Sequence, residues 1–217
     1  MELAVLGTGS AGRAIAARLA ELGHQVSIGT RDPDATQARA DYAEWAGDHR
    51  QVRLATYAAA AAAADVVLHV TNGASALDVL AQAGADNLDG KILIDVSNPL
   101  DFSQGMPPTL FVKDTDSLAE QIQRAFPAAR VVKTLNTMNN EVMVHPDLLP
   151  DPGSVFVSGD DAEAKATTTQ LLSEFGHTDV IDLGDLATAR GPEMLLPIWV
   201  QLMSVMGTAR FNFKVVR

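Results

Sequence analysis

Residues 2–31 read ELAVLGTGSAGRAIAARLAELGHQVSIGTR, and this stretch decides the fold. Its opening apolar run ends in the pattern G-x-G-x-x-G, formed by Gly7, Gly9 and Gly12. That pattern is informative only where it lies between a strand and a helix. Here a strand-like segment precedes it, an Ala/Leu/Ile-rich helical segment follows, and a second strand begins at Val26. The sequence therefore predicts a strand–turn–helix–strand unit that binds a dinucleotide.

Each glycine of the pattern has a predicted role in such a unit. Gly7 allows the tight turn, Gly9 lets the backbone approach a pyrophosphate, and Gly12 lets the helix pack closely on the strand. The free N–H groups and the dipole at the start of the helix are expected to hold the phosphates. The predicted phosphate-binding loop consists of Gly7, Thr8, Gly9, Ser10, Ala11 and Gly12.

The end of the second strand indicates which dinucleotide binds. An NAD-binding unit usually carries Asp or Glu there for the ribose 2′-hydroxyl, whereas this chain has Thr30 and Arg31. A hydroxyl and a guanidinium suit a 2′-phosphate, and Arg can bind it with bidentate geometry. Asp32 follows at once and could pair with Arg31 or bind the ribose itself, and Arg31 could simply occupy an exposed turn. We expect NADP(H), bound through Thr30 and Arg31.

Three blocks of sequence carry a family resemblance. Residues 7–33 resemble the opening of the NADP oxidoreductase family that includes the coenzyme F-420 (deazaflavin)-dependent enzymes. The blocks Val131–Thr137 and Phe211–Phe213 resemble later parts of the same family, so the resemblance extends over essentially the whole chain. It implies a Rossmann-type fold, an NADP(H) cofactor, and F-420 or a flavin as co-substrate.

Composition narrows the classes of partner. The 217 residues include 47% hydrophobic and 20% charged residues and no cysteine, as expected of a globular protein without disulfides. A net charge of −11 argues against nucleic acid and anionic membranes as partners. The first strand opens at residue 2, which leaves no room for a signal peptide, and the longest apolar stretch is too short to span a bilayer. We expect a cytoplasmic protein that binds small molecules.

Further along, strand-like and helical segments alternate as far as the C-terminus. After Pro150 the alternation continues without a Gly/Ser/Pro-rich linker or an internal repeat. We predict a single NADP-binding domain over residues 1–217, with a Rossmann-type, doubly wound, mostly parallel sheet. Its dinucleotide-binding core is expected at 1–150, and a C-terminal α/β extension at 151–217.

Two central strands are predicted to deliver polar residues to one edge of that sheet. The strands cover Asp65–Val70 and Lys91–Asp95. Ligands of open α/β sheets bind at the carboxyl ends of the strands, so the residues that follow are candidate nicotinamide contacts. An Asn-Pro pair can also be an ordinary turn. The predicted contacts are Thr71, Asn72, Ser97, Asn98 and Pro99.

A third strand, Arg130–Leu135, is followed by the predicted substrate-facing residues. Two amides, a hydroxyl and a methionine would form a polar but uncharged wall, although a plain turn would also fit. In the deazaflavin-reducing members that the chain resembles, this place carries His where the chain has Asn136. The Asn-Thr pair also resembles the cytoplasmic reductase domains of membrane metalloreductases, which use NADPH and a flavin. The predicted substrate-facing residues are Asn136, Thr137, Met138 and Asn139.

The sequence contains no catalytic apparatus of the common hydrolytic types. It lacks a G-x-S-x-G elbow, and its five histidines are not spaced as metal ligands, so no metal site and no certain catalytic residue are predicted. Direct hydride transfer needs neither, because the cofactor carries the chemistry. The leading hypothesis is hydride transfer between NADPH and a flavin-like acceptor such as F-420. The alternatives are a flavin- or metal-reducing NADPH oxidoreductase and a non-catalytic NADPH-binding sensor, and an imine or hydroxyacid reductase ranks last.

The last predicted helix, Leu186 to Met206, has almost no polar face in its second half. A helix that is apolar on all sides must be buried on all sides. In a chain of this length, a second copy is better placed than the protein's own sheet to cover one side. We therefore expect a homodimer.

Overall fold

A computed structural model of the chain describes residues 1–217 and contains ten strands and eleven α-helices. The strands are β1 (Glu2–Leu6), β2 (Gln25–Thr30), β3 (Arg53–Thr56), β4 (Val66–His69), β5 (Ile92–Asp95), β6 (Leu100–Asp101), β7 (Thr109–Leu110), β8 (Arg130–Lys133), β9 (Val155–Gly159) and β10 (Val180–Gly184). The helices are α1 (Ser10–Glu21), α2 (Pro33–Gln37), α3 (Ala40–Asp48), α4 (Tyr57–Ala63), α5 (Ala76–Ala83), α6 (Ala85–Leu88), α7 (Leu118–Ala125), α8 (Asn140–Val144), α9 (Ala162–Phe175), α10 (Arg190–Met194) and α11 (Leu196–Met206).

Eight of the strands form one sheet, in the order β3-β2-β1-β4-β5-β8-β9-β10. All neighbours are parallel except β8 and β9, which are antiparallel. The chain starts in the middle at β1, winds outward to β3, and then returns to continue on the other side from β4. The predicted Rossmann-type, doubly wound, mostly parallel sheet is confirmed. Residues 151–217 add β9 and β10 to the same sheet, and β6 and β7 form a separate short hairpin.

The strands are apolar because both faces of the sheet are covered by helices. Successive side chains of a strand point to opposite faces, and β1 supplies both cores in this way. Leu3 and Val5 belong to the core beneath α1, α8 and α9. Ala4 and Leu6 belong to the core beneath α4, α5 and α7. This arrangement leaves the ends of the parallel strands as the place where a ligand can reach the backbone.

Two glycines are required by close approach at the end of β1. Gly7 has a φ of +136°, and a Cβ atom there would lie 2.4 Å from the carbonyl oxygen of Val70. A Cβ atom on Gly12 would lie 2.0 Å from the carbonyl oxygen of Gly7, so α1 can cross the strand end only without a side chain at that position. Around Gly9, by contrast, no atom lies within 4 Å of a Cβ position, and the space above the loop is open.

The prediction of one long final helix from Leu186 to Met206 is wrong. The structure contains a 3-10 turn at Leu186–Ala189, followed by the separate helices α10 and α11. Proline lacks a backbone N–H and clashes with the carbonyl four residues before it. Pro197 therefore lies in the first turn of α11, where a missing N–H has no cost. None of the helices combines the length and the apolar character needed to cross a membrane.

Candidate functional site

A cavity of about 250 Å³, called here the inner cavity, lies at the carboxyl ends of β4 and β5. Its wall brings together four of the predicted nicotinamide contacts with the start of α1. Pro99 is buried outside this wall, where its carbonyl oxygen accepts the N–H of Phe111 and anchors the β6–β7 hairpin. The predicted residues that line the inner cavity are Ala11, Thr71, Asn72, Ser97 and Asn98.

The phosphate-binding loop is free to receive a ligand. Gly9 precedes α1, and no side chain caps the first N–H groups of that helix. The first backbone N–H that bonds within the helix is that of Arg13, which donates to Gly9 at 2.9 Å. The preceding N–H groups and the positive end of the helix dipole therefore face the open space above Gly9. These residues fit the pyrophosphate of a dinucleotide.

Thr30, Arg31 and Asp32, at the end of β2, have different surroundings in the structure. The Thr30 hydroxyl is buried against that of Thr36, with 2.8 Å between the oxygens. The Asp32 carboxylate accepts the N–H of Ala35 at 3.0 Å and caps α2, so it does not pair with Arg31. Arg31 is exposed and forms no ion pair with the chain. Its guanidinium is the free cation at the end of β2.

Arg39 is a candidate functional residue that the sequence did not single out. Its Nη1 donates to the Thr8 hydroxyl of the phosphate-binding loop at 3.3 Å, and its Nη2 lies 2.8 Å from the Asp41 carboxylate. A second guanidinium therefore lies beside the loop on the side of β2. The only sequence signal is a basic residue shortly after Arg31, and such a signal does not show that the chain between α2 and α3 brings Arg39 to Thr8.

Beneath the inner cavity lies a buried cluster of charges. The ammonium of Lys133, at the end of β8, is 2.8 Å from Asp95 on β5 and 2.9 Å from Glu193 on α10. All three side chains are at most 2% exposed. Burial opposes the charge of Lys133, but the two carboxylates outweigh it and raise the pKa of Lys133. Burial also opposes the charge of Asp95 and by itself would raise the pKa of that carboxyl group. Lys133 and His69 outweigh this effect and hold the pKa of Asp95 well below its usual range.

Glu193 also joins two distant elements through this cluster. Its carboxylate oxygens accept the N–H groups of Leu118 and Ala119, at 2.8 and 3.2 Å, at the start of α7. A carboxylate is favourable at a helix N-terminus because it meets both free N–H donors and the helix dipole. The cluster therefore holds β5, β8, α7 and α10 in one arrangement around the strand ends.

The residues after β8, which the sequence predicts to form a polar wall facing the substrate, are mostly buried. Asn136, Thr137 and Met138 are buried, and Asn139 caps α8 by accepting the N–H of Val142 at 3.0 Å. The Asn136 amide donates to the Asn98 side chain at 2.9 Å and to the carbonyl of Pro192 at 3.0 Å. Asn136 therefore holds Asn98 in the wall of the inner cavity without itself lining that cavity. Direct contact of Asn136, Thr137, Met138 and Asn139 with a substrate stays a prediction.

A larger cavity of about 610 Å³, called here the outer cavity, adjoins the inner one. The two share Asn72 and Phe102 in their walls. Phe102, Phe111 and Leu77 are exposed at its surface, and no cationic side chain lines it. The sequence contained a weak signal for this cavity, since the two phenylalanines flank a Gly/Pro-containing loop, but it could not place them beside α5.

Comparison with known proteins identifies the family. The family model described as NADP oxidoreductase, coenzyme F420-dependent, matches residues 2–99. The F420-dependent NADP reductase of Methanothermobacter thermautotrophicus is 30% identical over 208 residues, which is 93% of this chain and 89% of that protein. The chain belongs to the F420-dependent NADP oxidoreductase family. The predictions of an NADP-dependent oxidoreductase and of NADP(H) as its cofactor are confirmed.

A solved structure and a metalloreductase are also similar to this chain. The crystal structure of a protein from Arthrobacter sp. FB24, provisionally named an F420-dependent NADP-reductase, matches with a TM-score of 0.98 and 59% identity over the full length of both chains. The metalloreductase STEAP3 of Rattus norvegicus is 31% identical over 204 residues, or 91% of this chain. The chain spans only 38% of the length of STEAP3.

The charge cluster yields a stability prediction. Lys133→Met should lower the free energy of unfolding by about 3–5 kcal/mol, because it leaves two buried carboxylates without their cation. Urea unfolding at neutral pH measures this, since the stabilisation by Asp95 is present above its ordinary pKa of about 3.9 and is lost as the pH falls below it. Lys214→Met removes a half-exposed cation and is the control, with little change expected. Equal effects of the two substitutions would contradict the prediction.

Proposed function

We propose that this oxidoreductase transfers hydride between NADPH and a flavin-like acceptor such as the deazaflavin coenzyme F420, in the cytoplasm. The adjacency of the inner and outer cavities carries the proposal. One is reached from the phosphate-binding loop and is lined by polar strand ends, and the other is wider and has aromatic walls. A ring in each would lie side by side, which is the arrangement that hydride transfer requires.

Different residues of the chain bind the different parts of NADP(H). The N–H groups at the start of α1 hold the pyrophosphate, and Arg31, with Arg39 close by, holds the 2′-phosphate. Thr71, Asn72, Ser97 and Asn98 surround the nicotinamide, which supplies the hydride when the cofactor is bound. No side chain has to act as a nucleophile, so the protein contributes orientation and exclusion of water.

The outer cavity suits a planar, multi-ring acceptor. Its volume falls within the range of roughly 300–1,000 Å³ that is usual for ligand pockets. Phe102 and Phe111 are 51% and 44% exposed, and aromatic side chains left open at a cavity wall are suited to stack on a flat ring. The names of the methanogen and Arthrobacter relatives support F420 as that acceptor.

A second candidate is reduction of a flavin or of a metal complex, and the identity with STEAP3 favours it. The resemblance of the Asn136-Thr137 pair to the cytoplasmic reductase domains of membrane metalloreductases, noted in the sequence, points in the same direction.

The test is the loss of NADPH absorbance with F420, riboflavin, FMN and a ferric chelate offered in turn. We expect turnover with F420 and, more slowly, with a free flavin. Turnover with the ferric chelate only in the presence of flavin would support the second candidate. Tight binding of NADPH without turnover of any of these acceptors would contradict both candidates.

Cofactor choice gives a separate prediction. Arg31→Ala should weaken NADPH binding about ten- to a hundredfold while NADH binding changes little, because a charge-assisted hydrogen bond to the 2′-phosphate is lost. The measurement is the ratio of the two dissociation constants. Arg50→Ala, which removes an exposed arginine outside the site, is the matched control. An unchanged ratio in Arg31→Ala would mean that the 2′-phosphate is held elsewhere.

We also propose a homodimer formed through α11. Only Leu196 and Val200 of this helix are buried, whereas Ile198, Val205 and Met206 are 43%, 86% and 53% exposed. An apolar surface of this kind usually marks a contact with another protein. Sedimentation at micromolar concentration should give twice the chain mass of 22.9 kDa. A monomer at that concentration would rule the dimer out.

A further inference from the structure

A buried hydrogen-bond chain leads from Asp95 to the wall of the inner cavity. His69 is fully buried, with its Nδ1 2.9 Å from the Asp95 carboxylate and its Nε2 2.6 Å from the Thr71 hydroxyl. Thr71 is partly exposed and lines the inner cavity. The chain of hydrogen bonds therefore ends on a single hydroxyl at the cavity surface.

The direction of each hydrogen bond follows from the charge of Asp95. Its Oδ1 receives the N–H and the hydroxyl of Ser97, at 3.1 and 2.7 Å, and its Oδ2 receives the Lys133 ammonium at 2.8 Å. A carboxylate surrounded by donors only accepts, so His69 must donate from Nδ1. When the imidazole is neutral, Nε2 is an acceptor, and Thr71 then directs its one hydroxyl proton inward to it.

Both hydroxyls of the inner cavity are consequently left as acceptors. The Thr71 hydroxyl donates its hydrogen bond to His69, and the Ser97 hydroxyl donates its hydrogen bond to Asp95. Each oxygen therefore offers only lone pairs to a ligand. Asn98 accepts from Asn136 at its Oδ1 and donates one amide hydrogen to the Asn136 carbonyl, which leaves its second amide hydrogen as a donor. The two hydroxyls are thus complementary to a ligand group that carries N–H donors, while the remaining amide N–H groups of Asn72 and Asn98 suit a ligand acceptor such as a carbonyl oxygen.

We propose that Thr71, with Ser97 beside it, accepts the carboxamide N–H of the nicotinamide, and that His69 is the positioning residue that fixes Thr71 as an acceptor. This inference rests on NADP(H) binding at the inner cavity and on no particular hydride acceptor. Holding the carboxamide by its nitrogen fixes the rotation of the ring, and therefore the face that it turns toward the outer cavity.

The test compares NADP⁺ with its acetylpyridine analogue, in which a methyl ketone replaces the carboxamide and no N–H donor remains. Dissociation constants are measured by isothermal titration calorimetry without any hydride acceptor. The intact protein should bind NADP⁺ about three- to tenfold tighter than the analogue. Thr71→Val should lower this ratio by about threefold or more, and Thr71→Ser, which keeps the hydroxyl, should preserve it.

His69→Leu should lower the same ratio, because Thr71 is then free to turn its proton toward the cavity. Unfolded protein binds neither ligand, so partial misfolding changes the number of sites but not the ratio of the two constants. Thr168→Val removes a buried hydroxyl within α9 and is the matched control. If His69→Leu does not fold, the two Thr71 variants decide.

Two results would overturn the proposal. A ratio near one in the intact protein would mean that Thr71 donates to the carbonyl oxygen, which both ligands possess. An unchanged ratio in Thr71→Val would mean that the carboxamide lies elsewhere. Failure of NADP⁺ itself to bind would instead contradict the cofactor assignment, and turnover of F420 or a flavin is judged by the separate absorbance assay.

Discussion

The buried ammonium of Lys133, held between Asp95 and Glu193, is the contact on which the arrangement of the site depends. A charge in the interior is tolerated only when its partners are close and well bonded. Here one partner comes from the neighbouring strand and the other from a helix near the C-terminus, and the second also binds the start of α7. The cluster therefore fixes the strand ends, the helix that follows the hairpin, and α10 relative to one another.

The same cluster positions side chains that line the inner cavity. Asp95, kept ionised by Lys133, also organises Ser97 and His69, and through His69 it reaches Thr71. The same edge receives the start of α1 because Gly7 and Gly12 let backbone approach backbone at β1. A phosphate-binding loop, a polar inner cavity and an aromatic outer cavity are thus placed side by side by packing constraints that lie below the surface. The chemistry itself belongs to the cofactor.

The sequence predicted what is encoded locally. The glycine pattern, the strand exits at Thr71 and Ser97, and the alternation that gives a doubly wound sheet all depend on neighbouring residues. The burial of Asn136 could not be predicted, because its partners Asn98 and Pro192 lie 38 and 56 positions away. The same holds for the meeting of Lys133 with Glu193, and for Phe102 and Phe111 beside α5. Pro197 marks the break before α11, whereas the apolar pattern runs across it without interruption and favours one continuous helix.

The central claim is direct transfer of hydride from NADPH in the inner cavity to a ring in the outer cavity. The most direct measurement uses NADPH carrying deuterium on one or the other face of the nicotinamide C4, with F420 as acceptor in ordinary water. Transfer between two fixed rings predicts that the deazaflavin carbon gains deuterium from one of the two labelled cofactors and not from the other. Label lost to water, or transferred equally from both faces, would contradict the account.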